Sequence, residues 1–242
     1  MICCVDHGIA KRLAILLSYH TVAQTQGREL VVVWKQSFEC HGDFLDCFDP
    51  LPGVHFLRAV PAWAAPAAEA EGLHPDFEDT PEAVTACYAR LRPIASVMDA
   101  ISRRLVCLGG ADTYVAVHLR RMDLARFCGD TSQTVEGQTP EGQTPDVAYE
   151  TFLDGHAPTP VFIATDCGET HKRFQMQYEP RLGVNMPRAT FDASHYRQTC
   201  NEAAVVDMFV CAASKAFLGS SNTCKTSAFS EAVHSLRRVR GV

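Results

Sequence analysis

The sequence predicts an α/β protein made of two parallel-sheet units of Rossmann type. Three observations carry that expectation. Short β-branched runs alternate with longer segments of helical apolar spacing along nearly the whole chain. The first strand, helix and second strand fit within about 35 residues, the span of a βαβ crossover. The alternation then restarts after a proline- and alanine-rich stretch, which implies a second doubly wound sheet.

In the first unit, residues 2–5 read as a strand and Asp6-His7-Gly8 as a turn. Residues 9–25 carry Leu13, Leu16, Leu17 and Val22 at helical spacing, and Gly27 is placed to end that helix. Residues 30–34 and 54–57 are buried strands. Residues 58–80 hold several prolines and an alanine-rich run, and read as a surface loop. Residues 93–105 form a helix with Ile94, Val97, Met98, Ile101 and Leu105 on one face. The domain boundary falls here, giving units 1–95 and 96–242.

The second unit begins with a strand at 114–119. A polar segment follows, with Glu136-Gly-Gln-Thr-Pro140 copied at once as Glu141-Gly-Gln-Thr-Pro145. Such a repeat cannot pack a core and reads as a loop insertion. Then come helices at 146–153 and 169–178 around a strand at 161–165, and a short strand at 183–185. A helix at 200–213, a strand at 216–218 and a helix at 227–236 close the chain.

The 242 residues are 47% hydrophobic and 21% charged, an ordinary globular composition with enough chain for real cores. A net charge of −6 argues against general nucleic-acid binding but leaves room for a local basic pocket. No apolar run reaches the roughly 18 residues of a membrane span. The N-terminus lacks the pattern of a signal peptide, so the expected location is cytoplasmic, or a secretory lumen if an anchor precedes the chain. The 11 cysteines contain no Cys-x-x-Cys pair. Cys40-His41 with Cys47 is the nearest approach to a zinc site, and reduced buried thiols are the better reading; no metal is expected.

The chemistry concentrates at His118-Leu-Arg120-Arg121-Met-Asp123, just past the carboxyl end of a strand, where ligands bind in open α/β sheets. A guanidinium there can grip a phosphate through two parallel hydrogen bonds. The alternative for Arg121 is an ion pair inside the turn, and for His118 a buried ring with both nitrogens satisfied. Asp166 ends the strand 161–165, where a carboxylate can accept from guanine N–H donors or ribose hydroxyls, or cap the next helix. Ser227, Ala228, Phe229 and Ser230 lie where a loop enters the last helix, a natural phosphate seat or a plain N-cap. Gly219-Ser-Ser221 permits close approach of the backbone to a ligand. Asp207 lies among apolar helix residues and needs a partner.

His-x-Arg-Arg-x-Asp after an apolar strand resembles the first motif of the fucosyltransferase superfamily that contains α1,6-fucosyltransferases, nodulation fucosyltransferases and protein O-fucosyltransferases. Val161-Phe-Ile-Ala-Thr-Asp166 resembles its second motif. Asp207, Phe217-Leu-Gly-Ser-Ser221 and Ser227-Ala-Phe-Ser230 resemble its third. Gly8-Ile-Ala-Lys11-Arg12, followed by Arg28-Glu-Leu-Val-Val-Val-Trp34, is similar to the opening turn, helix and strand. These segments keep family order across almost the whole chain.

The resemblance implies the glycosyltransferase B arrangement and metal-independent, inverting transfer of fucose from GDP-β-L-fucose to a sugar or protein hydroxyl. It implies that Arg120 stabilises the departing diphosphate, with Arg12 and Asp6 as further catalytic candidates. His118, Arg121, Asp123, Asp166, Asp207 and Ser227–Ser230 are the implied donor-binding set. Two departures stand out. Lys11 replaces the family's Asn before Arg12, and Leu124–Cys128 lacks the carboxylate suspected as a base. Asp6, Glu39 and Asp43 are the remaining base candidates. A GDP-sugar binder without activity and an unrelated α/β nucleotide-binding protein are the alternatives.

Overall fold

The computed structural model describes residues 2–4, 7–37, 39–59, 68–121, 143–183, 185–187, 189–192, 198–221 and 226–242. Two parallel sheets organise the chain. The first contains β1 (Ile2–Cys4), β2 (Leu30–Trp34), β3 (Val54–Leu57) and β4 (Ala68–Ala70), in the order β3-β2-β1-β4. The second contains β5 (Val115–Leu119), β6 (Val161–Thr165) and β7 (Ala216–Leu218), in the order β6-β5-β7. Every strand pair is parallel, so each connection is a crossover that leaves strand carboxyl ends on one edge.

Helix α1 (Ile9–Thr25) joins β1 to β2 and ends as the sequence predicts. Gly27 adopts φ +63°, and Arg28 N–H bonds back to the carbonyl of Ala23 at 2.8 Å. Helix α2 (Pro81–Tyr88) has Thr80 as N-cap, accepting from Ala83 N–H at 3.2 Å, with Pro81 in its first turn. Helix α3 (Ala95–Cys107) leads into β5. Helices α4 (Asp146–Gly155) and α5 (Gly168–Tyr178) flank β6, α6 (Asn201–Ala212) precedes β7, and α7 (Ala228–Arg240) ends the fold. The last turn of α7 carries Arg237, Arg238 and Arg240 against the negative end of its dipole.

All five residues of β5 are buried, and its two faces meet different partners. Val115, Val117 and Leu119 pack with Tyr149, Leu153 and Phe174 of α4 and α5. Ala116 belongs to the main core, with Leu13, Leu16 and Leu17 of α1, Val205 and Met208 of α6, and Val233 of α7. Helix α7 packs on α1, α2 and α6, so one apolar cluster runs between the two sheets.

Three elements differ from expectation. The stretch 58–80 contains β4, which pairs with β1 through Ile2 opposite Ala68; this short edge strand, Ala68-Glu69-Ala70, has no β-branched or large apolar residue. Helix α2 was not anticipated, although Thr80-Pro81-Glu82 carries a start signal. Of the short strand expected at 183–185, the described residues Gly183 and Asn185 are not in strand. Leu182 makes an isolated bridge to Val161, and Asn185 adopts φ +58°, which no strand accommodates. A Cβ on Gly183 would lie 2.6 Å from the Cys107 carbonyl oxygen, so this segment crosses close over the end of α3.

Candidate functional site

The carboxyl ends of β5, β6 and β7 and the start of α7 meet at one place. His118 lies on the face of β5 that turns toward α7. Its ring stacks on Phe229 at 4.2 Å and 25°, and its Nδ1 is 3.0 Å from Ser230 Oγ. Ser230 Oγ also accepts from Ser220 N–H at 3.0 Å, which ties β7's exit to the same hydroxyl. Ser227 caps α7 by accepting from Ser230 N–H. A Cβ on Gly219 would lie 2.6 Å from both Cβ and Oγ of Ser230. The backbone at Gly219 thus packs directly on α7, a contact that only glycine allows.

Asp166 ends β6 and is buried. Its Oδ1 accepts the backbone N–H of Arg121 at 2.8 Å, so the carboxylate holds the turn that carries Arg120 and Arg121. It does not cap α5. That helix has Cys167 at its N-cap position, and Gly168 N–H bonds to Gln198 Oε1 at 2.7 Å. Gln198 N–H in turn donates to the Asp166 carbonyl at 3.3 Å.

Arg121 follows the ion-pair reading. Its guanidinium pairs with Asp146 in the first turn of α4 and lies 5.7 Å from the Tyr149 ring centroid. Asp146 also pairs with Arg173 of α5, so one carboxylate joins the turn to two helices. Arg121 Nη1 is buried without a hydrogen-bond partner. Arg120 is half-buried directly beyond β5. Thr144 hydrogen-bonds Ser221 through both backbone and hydroxyl, which brings the end of the duplicated segment beside the β7 exit.

Two expected residues are placed away from this edge. Asp207 sits at the packing interface of α6 and α3, 2.6 Å from Arg104 Nη1. Burial pushes its carboxyl up to about 6, against the pull of Arg104. It has the partner its apolar surroundings demanded, and that partner is on α3. Arg12 is fully buried on the first unit. It donates to the carbonyl of His7 at 2.8 Å, the carbonyl of Lys35 at 2.5 Å and Ser37 Oγ at 2.9 Å. Its guanidinium carbon is 5.3 Å from the Trp34 ring centroid. Arg12 thus joins the turn after β1 to the segment after β2.

Asp6, Asp123 and residues 136–142 of the repeat lie outside the described residues. Ala228 and Phe229 open α7. Glu39 is half-buried and its N–H donates to Ser37 Oγ at 3.3 Å. Asp43 is buried and paired with exposed Arg58 at 2.6 Å.

The two units meet along this same edge. Asn201, at the start of α6, donates to the Gly42 carbonyl and to Cys40 Sγ, both at 3.1 Å. Trp34 Nε1 donates to the same carbonyl at 3.0 Å. The segment after β2 therefore rests on the start of α6, close to Gln198 and Asp166.

Asp146, Gln198 and Asn201 were not anticipated. Asp146 has a local signal, an acid in the first turn of a helix behind Pro145. The contacts of Gln198 and Asn201 span the fold and leave no local trace. Among the described residues, no group of three or more His, Cys, Asp or Glu side chains is placed to hold a metal ion. Among them too, no helix is long and apolar enough to cross a membrane.

No family model and no curated relative matches the sequence. Solved structures do. NodZ α1,6-fucosyltransferase soaked with GDP-fucose aligns with a TM-score of 0.60 at 15% identity, covering 97% of this chain and 91% of that one. Fucosyltransferase NodZ from Bradyrhizobium aligns with a TM-score of 0.60 at 14% identity, covering 96% and 92%. NodZ co-crystallized with GDP aligns with a TM-score of 0.58 at 15% identity, covering 96% and 91%. The chain has the fold of these proteins, the glycosyltransferase B-like pair of parallel-sheet units.

Proposed function

We propose that this chain is a fucosyltransferase that moves fucose from GDP-β-L-fucose to a sugar or protein hydroxyl, with inversion and without a metal ion. The observation that carries the reading is the Arg120–Arg121 turn, fixed by Asp166 at the β5 edge beside the capped start of α7. It stands on a fold shared with a fucosyltransferase soaked with GDP-fucose. Residues 96–242 then form the donor side and residues 1–95 the acceptor side.

In this reading the bond between the sugar carbon and the β-phosphate oxygen breaks, and negative charge grows on the diphosphate. Arg120 meets that charge with a planar guanidinium held at the strand end. The start of α7 adds its positive dipole end. His118, wedged between Phe229 and Ser230, forms a rigid wall for the nucleotide. Asp166 offers carboxylate acceptors to guanine N–H donors. Arg121 acts one step back, through Asp146, by fixing the backbone from which Arg120 projects.

Nucleotide-dependent melting tests the donor assignment. GDP raises the melting temperature and UDP and ADP do not. At a hundredfold excess over Kd the expected stabilisation is about 2.7 kcal/mol. Equal shifts with UDP overturn the guanine assignment. Release of GDP from GDP-fucose should persist in EDTA; loss that manganese restores overturns the metal-independent reading.

A further inference from the structure

We propose that Ser230 is a positioning residue: it gives its hydroxyl proton to Nδ1 of His118 and so fixes the ring as the tautomer that carries its proton on Nε2. His118 then meets the donor as an N–H group for a phosphate oxygen. The inference rests on the transfer reading above and assigns a task to the hydroxyl buried at the start of α7. Ser230 is fully buried, and its Oγ lies 3.0 Å from His118 Nδ1. The same oxygen accepts the Ser220 N–H at 3.0 Å. A backbone N–H can only donate, so that contact takes one lone pair and leaves the hydroxyl proton to be placed.

The proton has one destination. Among the described residues, the Ser230 hydroxyl meets no acceptor other than His118 Nδ1. The opposite arrangement, Nδ1–H pointing at Oγ, would leave the hydroxyl proton unbonded in a place that excludes water. A buried donor left without an acceptor is disfavoured by roughly tenfold or more. Gly219 backs onto the same oxygen, where an added Cβ would lie 2.6 Å from Oγ. The Phe229 ring stacks on the imidazole at 4.2 Å and 25°. Neither the hydroxyl nor the ring has room to turn away, and a ring protonated on Nε2 follows.

The placement of the ring says what that N–H recognises. His118 lies one residue before the end of β5, and its ring rests on Phe229 and Ser230 in the first turn of α7. A helix start favours negative charge, because its first N–H groups have no acceptor within the helix. Arg120 stands two residues further along, directly beyond the same strand. An imidazole that carries an N–H there adds a donor for an oxygen of the diphosphate. The opposite tautomer would turn a lone pair toward the anion and repel it. Ser230 therefore acts on the ligand through His118.

The tautomer is read from two-bond proton–nitrogen correlation spectra of protein labelled at its histidine nitrogens, with His118→Gln to identify the His118 signals. Wild type should show an unprotonated, hydrogen-bonded Nδ1 and a protonated Nε2. In Ser230→Ala the Nδ1 signal should lose its hydrogen-bond shift, and the ring should populate the second tautomer. GDP should bind Ser230→Ala about tenfold more weakly, while guanosine, which has no phosphate, binds it as it binds wild type. Ser227→Ala removes the cap of α7 but not the His118 contact, so it should melt earlier with the His118 signals in place. An Nδ1–H ring in wild type overturns the proposal, and that result needs no variant to fold. So do ring signals that Ser230→Ala leaves unchanged, or an equal loss of GDP and guanosine affinity. Wild-type protein that binds no GDP overturns the transfer reading itself, and is told apart because the tautomer is read without ligand.

Discussion

Replacing Asp207 by Asn should change how stability depends on pH while leaving GDP affinity intact. Asp207 is buried between α3 and α6 beside Arg104, and its carboxyl is raised from 3.8 to about 6. A raised acid binds its proton in the native state at pH values where the unfolded chain has released it. The associated stability is therefore full below 3.8 and lost as pH rises through about 6. Moving from about pH 7.5 to pH 4.5, this group alone makes the native state more stable by about 2 kcal/mol. Asn cannot titrate, so the gap between wild type and Asp207→Asn should shift by that amount in favour of wild type on acidification. The pH dependence is a cleaner readout than the gap at neutral pH. There Asn removes a costly buried carboxylate but also leaves Arg104 without its counter-ion. Urea unfolding of both proteins at several pH values measures the shift. A flat difference would falsify the buried-pair account. A GDP affinity that drops in the Asn variant would instead return Asp207 to the donor site.

Other substitutions separate contacts of the reaction from contacts of the fold. Arg120→Lys keeps a charge but loses the planar fork, so GDP release should fall by about two to three orders of magnitude with melting little changed; a variant that melts early yet binds GDP normally defeats the ligand assignment. Gly219→Ala puts a Cβ 2.6 Å from Ser230, so α7 must move off β7, at a cost of about 1–3 kcal/mol by thermal or urea melting. Arg12→Met leaves the His7 and Lys35 carbonyls and Ser37 Oγ without their donor, and should cost at least about 3 kcal/mol in urea unfolding; an unaffected midpoint would show that the clamp contributes nothing.

The parts of this fold legible in the sequence are those that local physics dictates. The bounds of α1, β2, β3, β6 and β7 match the predicted ranges, because each is a short, mostly apolar run or an apolar helical repeat with a clear stop. β4 escaped because Ala68-Glu69-Ala70 has no strand signature; its pairing comes from the β1 edge beside it. The site divides in the same way. Strand-end placement of His118, Arg120, Arg121 and Asp166 follows from finding the strands, since parallel sheets put ligands at that edge. What each side chain does there does not follow, because the deciding partner is distant in sequence. Asp166 does not cap the helix that follows it; its Oδ1 accepts the Arg121 N–H, 45 residues away. Asp207 and Arg104 are 103 residues apart, and nothing local shows that they meet. Arg12 is the sharpest case. An arginine four residues past a glycine turn looks poised for a ligand, yet its donors converge on two carbonyls and a serine of its own unit. A guanidinium with satisfied donors in a buried place is an organiser of backbone, and what it organises here is the turn after β1 and the segment after β2.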